Sequence, residues 1–181
     1  MLGKPLPEIG RGRCLPIVGP DVRDALVNAN LSEHEFNGIH FAAIIHDLGQ
    51  VQVPAKILSK RGKLSNPEFQ LVKIHVEAGH DMLKGIEFRW PIAQIVLQHH
   101  ERLDGSGYPQ GLKDAEILAE AKILAVADTV EAMVSDRPYR SALSIDAALD
   151  ELANHRGKLY DVEIADCCIA LFKENRFAFS N

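Results

Sequence analysis

Two pairs of adjacent residues could do chemistry together. His46-Asp47 closes one apolar run, and His99-His100 closes another. Asp128 interrupts a third run, Ile123-Leu124-Ala125-Val126-Ala127. A carboxylate inside such a run is costly unless it is paired or bound to a cation. His75 adds a further imidazole in a segment of helical spacing. Mixed imidazole and carboxylate donors suit iron, manganese or zinc better than a thiolate site would. Two such ions can activate a water and clamp a phosphodiester oxygen, with Asp47 the natural bridge between them. Each residue also has a plainer reading. His46 at a helix end is favoured by the helix dipole, beside a solvated aspartate. His75 alone reads as a satisfied or exposed histidine, and Asp128 as a solvent-facing gap in the pattern. His34, His40, His80 and His155 lack partner spacing and read as surface residues.

Helices must position these groups. Ser32 with Glu35 is a capping box that opens a helix to about Leu48, with Gly49 as its stop. The spacing predicts an extended loop over residues 51–59, which holds Pro54. Ser65 with Glu68 is a second box, with Pro67 in the first turn. That helix carries Leu71, Ile74, Ala78 and Met82 at helical spacing and runs to Gly85. Pro91 opens a helix ending at His99-His100. A turn region follows over residues 104–113, and a long helix spans about 115–135. Ser144 caps a helix over 145–154, and Asp161 caps one over 162–174. A short helix over 22–30 completes the set. No run alternates with period two, so the expected fold is an all-α bundle with a metal centre between its helices.

Composition narrows the function classes. The chain has 181 residues, enough for one domain, and 46% of them are hydrophobic, enough for a sizeable core. A net charge of −5 disfavours a nucleic-acid polymer as partner. No apolar run is long enough to span a membrane. Cys14, Cys167 and Cys168 cannot build a disulfide framework, which suits the cytoplasm. Residues 1–20 are broken by glycine and proline and read as an irregular segment ahead of a helical domain over 21–181.

Three separated runs carry a family resemblance: HDLGQVQVPAKILSKRGKLSNPEFQLVKIH, HHERLDGSGYPQGL and ILAVADTVEAMVSDRPYR. Together they resemble the HD-GYP subgroup of the HD-domain phosphohydrolases, over about Leu31 to Phe172. The Gly107-Tyr108-Pro109 triplet is the one behind the family name. The resemblance implies a phosphodiesterase that hydrolyses cyclic di-GMP to the linear dinucleotide and possibly on to GMP. It implies two or more divalent metal ions, iron or manganese, held by His46, Asp47, His75, His99, His100 and Asp128. It also implies that Arg137 and Arg140 approach the phosphates, where a guanidinium fork can bind bidentately. Tyr108 is placed either to stack on a guanine or to shape its loop, and Gly105 and Gly107 to make the turn.

Two positions depart from the family pattern. Gln50 stands where the family usually has a lysine beside the metals, so Asp47 and Gln50 become the catalytic candidates. The family's N-terminal helix carries a further ligand histidine, and here its place falls near Cys14, in the broken segment. The readings this leaves open are a truncated chain, a fragment missing a sensory or receiver domain, and a natural degenerate member of the family. The alternative function is a weakly active signalling module that binds a partner protein through the Gly107-Tyr108-Pro109 loop.

Overall fold

The computed structural model describes residues 32–137 and 141–174. The segment 1–20, the helix expected over 22–30, Cys14 and Arg140 lie outside the described residues. Among the described residues there are helices and no strand, as the absence of alternating sequence requires.

Helix α1 spans Glu33–Ile45 and opens on the expected box: the Glu35 amide donates to Ser32 Oγ, and the Ser32 amide donates to the Glu35 carboxylate. It ends at Ile45, short of Leu48. A 3-10 turn over Leu48–Gln52 follows, then α2, one turn over Ala55–Leu58. The expected extended loop at 51–59 is therefore largely helical. Pro54 sits just before α2, where its missing N–H costs nothing. Helix α3 spans Asn66–Leu83 and α4 spans Ile92–Gln98. Helix α5 covers Ala119–Val134 rather than 115–135, because residues Asp114–Glu116 form a separate 3-10 turn. Helix α6 spans Ile145–His155 and α7 spans Val162–Lys173, capped by Ser144 and Asp161 as expected.

The core lies between α1, α4, α5, α6 and α7. Ile39, Ile92, Ile95, Val96, Leu124, Val126, Val130, Leu152 and Leu171 are fully or almost fully enclosed there. Helix α3 sits differently. Leu71, Ile74 and Met82 are exposed, whereas His75, Val76, Ala78, Gly79 and Leu83 are buried. The apolar stripe read along this helix is therefore rotated from the face that packs inward. The inward face is built around a histidine.

Candidate metal centre

His46 is the residue that ends α1, and Asp47 follows it into the 3-10 turn. Ending the helix here aims both side chains off its tip into one cavity. The turn then lies against α3 at close range, and Gly49 makes that possible. A β-carbon on Gly49 would stand 1.9 Å from the His75 carbonyl oxygen and 2.5 Å from the Gly79 amide nitrogen. Glycine is required for backbone approach, since its φ is not positive. The contact brings Asp47 to His75, with Oδ1 3.5 Å from His75 Nε2.

The six residues expected as metal ligands converge. His46 Nε2 lies 3.6 Å from Asp47 Oδ2 and 3.7 Å from Asp128 Oδ1, and His100 Nδ1 lies 3.9 Å from Asp128 Oδ2. Ring centroids separate by 4.1 Å for His99 and His100, 5.2 Å for His46 and His99, and 5.2 Å for His75 and His100. Two triads, His75-His99-His100 and His46-Asp47-His99, each offer donor atoms within 4.8 Å of one another. His99 belongs to both.

Three of the imidazoles are held alike. His46 Nδ1 lies 2.9 Å from the Ala43 carbonyl oxygen, His75 Nδ1 2.7 Å from that of Val72, and His99 Nδ1 2.6 Å from that of Val96. A carbonyl only accepts, so each Nδ1 carries the proton and donates it to the residue three positions earlier. In the neutral ring Nε2 is then a bare lone pair aimed into the cavity. His75 Nε2 and His99 Nε2 are buried without a hydrogen-bond partner. Orphaned acceptors are expensive in a protein interior and call for a cation.

The electrostatics agree. Burial and the neighbouring His46 push His99 down to about 3, and burial with the adjacent His99 also lowers His100. Both imidazoles are therefore neutral near pH 7. Burial works to lower His46 too, but the carboxylates of Asp47 and Asp128 outweigh it and raise this histidine to about 9. Burial alone would raise Asp128. The His46 imidazole beside it and the other surrounding imidazoles hold it far below the usual carboxylate range. The carboxylates that retain a proton on His46 are equally suited to retain a metal cation.

The segment after His100 is fastened to the cavity wall. Glu101 is 2% exposed, and its carboxylate accepts three backbone N–H groups, from Gln110 at 2.7 Å, Gly111 at 3.2 Å and Leu112 at 3.0 Å. Sequence reasoning missed this residue, because a glutamate beside two histidines reads as solvated. The signal was its place ahead of a glycine-rich turn whose amides need an acceptor. A β-carbon on Gly107 would meet the Glu101 Cα at 2.4 Å, so the loop folds flat onto it. The Tyr108 amide donates to the His100 carbonyl at 3.2 Å, and the Tyr108 ring stacks on the His100 ring at 4.7 Å. Burial raises the Tyr108 phenol well above its ordinary value, so it remains neutral.

The remaining candidates are less directly placed. Gln50 lies in the 3-10 turn three residues beyond Asp47, half-buried. The Arg137 guanidinium donates to buried Glu131 at 2.7 Å, and Ser135 Oγ donates to the same carboxylate. That bond anchors the segment after α5. His80 meets Asp81 and Gln94, His155 meets Glu151, and His34 and His40 pack beside Trp90 and Phe36. None of these four joins the cluster, in line with their surface reading.

The constellation has a known counterpart. A family model described as HD domain matches residues 17–164, most of the chain. The chain belongs to the HD-domain family. HD-domain phosphohydrolases bind divalent metals, and the Gly107-Tyr108-Pro109 segment puts this member in the HD-GYP subgroup. It is 44% identical, over 77% of its length, to the cyclic di-GMP phosphodiesterase response regulator RpfG of Xanthomonas campestris pv. campestris, covering 37% of that protein. It is 43% identical, over 80% of its length, to a cyclic di-GMP phosphodiesterase of Thermotoga maritima, covering 40% of it. The chain thus spans about two fifths of the length of these curated relatives. Among solved structures, the HDG"Y"P protein of Bdellovibrio bacteriovorus matches 88% of this HD-domain chain and 51% of its own, at a TM-score of 0.71 and 16% identity. The Vibrio cholerae cyclic GMP-AMP specific phosphodiesterase V-cGAP3 matches 91% of the chain and 44% of its own, at 0.66 and 17%. These likenesses show the HD-domain fold. No helix among the described residues is long and apolar enough to cross a membrane.

Proposed function

We propose that this HD-domain chain is a metal-dependent phosphodiesterase that hydrolyses cyclic di-GMP to the linear dinucleotide and, on a second cut, to GMP. One observation carries it: two buried, unpartnered Nε2 lone pairs, on His75 and His99, face a cavity closed by two carboxylates. His46, Asp47, His75, His99, His100 and Asp128 would hold two or more divalent ions, iron or manganese given oxygen and nitrogen donors without thiolate. Such ions, when bound, supply Lewis acidity toward a phosphate oxygen and toward water.

The chain's own groups do the rest. Asp47 turns one oxygen to His46 and the other to His75, so a single carboxylate serves both halves of the cavity. Asp128 likewise divides its oxygens between His46 and His100. The overall reaction adds water across one P–O bond, freeing a ribose hydroxyl and leaving a phosphate monoester. Tyr108, fixed on His100, walls the cavity where a dinucleotide would enter. Gln50 offers an uncharged hydrogen bond where the family pattern has an ammonium. Arg137 and Arg140 are candidates for phosphate contact, Arg137 after release from Glu131. We place this activity in the cytoplasm, under a partner or sensory domain that sets its input.

The test is metal content of the purified chain together with turnover of cyclic di-GMP in added manganese or ferrous iron under reducing conditions. Metal binding with turnover supports the reading. A chain that binds no metal overturns it. Bound metal without turnover would favour the signalling module.

A further inference from the structure

A half-buried cation stands near the mouth of the metal centre with aromatic neighbours. Lys73 Nζ lies 4.7 Å from the Tyr108 ring centroid and 5.0 Å from that of Phe69. Among the described residues no carboxylate pairs with it, whereas Lys60, Lys84 and Lys122 each hold one. Glu77, four residues on, forms no ion pair with it among the described residues, and Glu68, five residues back, is taken up by Lys60 and by the Ser65 cap. Phe69 is 43% exposed, which leaves part of its ring open to a flat partner. Its ring meets Tyr108 edge to face at 6.3 Å, and Tyr108 in turn lies flat on His100. The rings of Phe69, Tyr108 and His100 therefore lead from the surface into the metal cavity, with the ammonium alongside.

We propose that Phe69 and Lys73 form a second subsite beside Tyr108, which binds the nucleotide of a purine dinucleotide that is not being cut. The proposal rests on the cyclic-dinucleotide reading above. A base stacks on the exposed Phe69 ring, and the Lys73 ammonium takes the phosphodiester outside the metal cavity. The chemistry fits both halves. Stacking accepts any flat base, and lysine serves as a compact point charge for phosphate. Cation and ring share one ligand because both sit on the same face of α3, at positions four residues apart.

The test compares full-length wild type with Phe69→Leu and Lys73→Gln, at matched metal content, on two substrates. Cyclic di-GMP spans both subsites. Methyl p-nitrophenyl phosphate reaches only the metal cavity. Each variant should raise the KM for cyclic di-GMP about tenfold relative to that for the small diester, as loss of one stacked base implies. Phe69→Trp and Lys73→Arg should restore it. An unchanged ratio in both variants would overturn the proposal, as would equal losses on both substrates, which mark a structural role. Should wild type cleave the small diester but not cyclic di-GMP, the substrate reading fails first. Calorimetric binding of cyclic di-GMP to metal-loaded and metal-free protein then decides the subsite. No binding by wild type overturns it, and binding that Phe69→Leu weakens about tenfold upholds it.

Discussion

Replacing Glu101 should uncouple the Tyr108 loop from the metal centre. Its buried carboxylate satisfies three backbone N–H groups, those of Gln110, Gly111 and Leu112. Hydrogen bonds to a charged group contribute about 1.5–3 kcal/mol each, and a buried N–H left unmet costs about 1–3 kcal/mol. Glu101→Gln keeps one oxygen, which can serve Gln110 and Gly111, but turns an NH2 toward the Leu112 N–H. Donor facing donor removes one charged bond and leaves one amide unmet, a loss of about 3 kcal/mol. For a chain of this length that is about 6–12 °C in melting temperature. Glu101→Ala should lose more, since all three amides lose their acceptor. The ligands themselves lie on the other side of the His100 peptide, so metal content should hold while KM for cyclic di-GMP rises. Thermal unfolding, metal analysis and steady-state kinetics on both variants check this. Melting within about 2 °C of wild type, with KM unchanged, would refute the reasoning.

Three further outcomes are expected. Gly49→Ala must part the 3-10 turn from α3 by about 1.5 Å to restore ordinary contact at the His75 carbonyl. Displacements of about 1 Å can cost a hundredfold in rate, so metal content and turnover should both fall, and wild-type values for both would contradict the packing argument. Stripping metal with a chelator should lower the melting temperature, because ion bound at a hundred times its Kd stabilises by about 2.7 kcal/mol; a melting curve indifferent to chelator and to added manganese would count against the six-residue centre. Gln50→Lys should raise turnover at matched metal occupancy, since an ammonium near a developing phosphorane charge is worth more than an amide. Equal rates in two active proteins would place Gln50 outside the reaction.

Much of the site was legible because its residues break patterns. Histidines and an aspartate closing or interrupting apolar runs pointed to His46, Asp47, His99, His100 and Asp128, and the capping boxes located α1 and α3. The inward face of α3 was misjudged for the same reason in reverse. Leu71, Ile74 and Met82 form the more hydrophobic stripe, but His75 is the side chain packed inside, and Gly79 and Ala78 beside it allow close packing. Hydrophobicity ranks side chains one at a time, whereas this helix is oriented by the close backbone contact at Gly49 and Gly79 that turns His75 inward. Gly49 was read as a helix stop, yet its role is to let two backbones touch, a distance between segments that local sequence does not express. Glu101 was passed over because its partners are amides nine to eleven residues away.

The carbonyl locks on His46, His75 and His99 have a consequence for traffic. Rings pinned at Nδ1 and sealed from solvent cannot swing outward to collect an ion. The more open members of the cavity are Asp47 and His100, and Tyr108 lies across the latter. On the proposed function, ions and substrate would share that side of the site. Ions held there would then load before the substrate, and a bound dinucleotide would bar their exit. Exchange of the bound ions should be slowest when the enzyme is saturated.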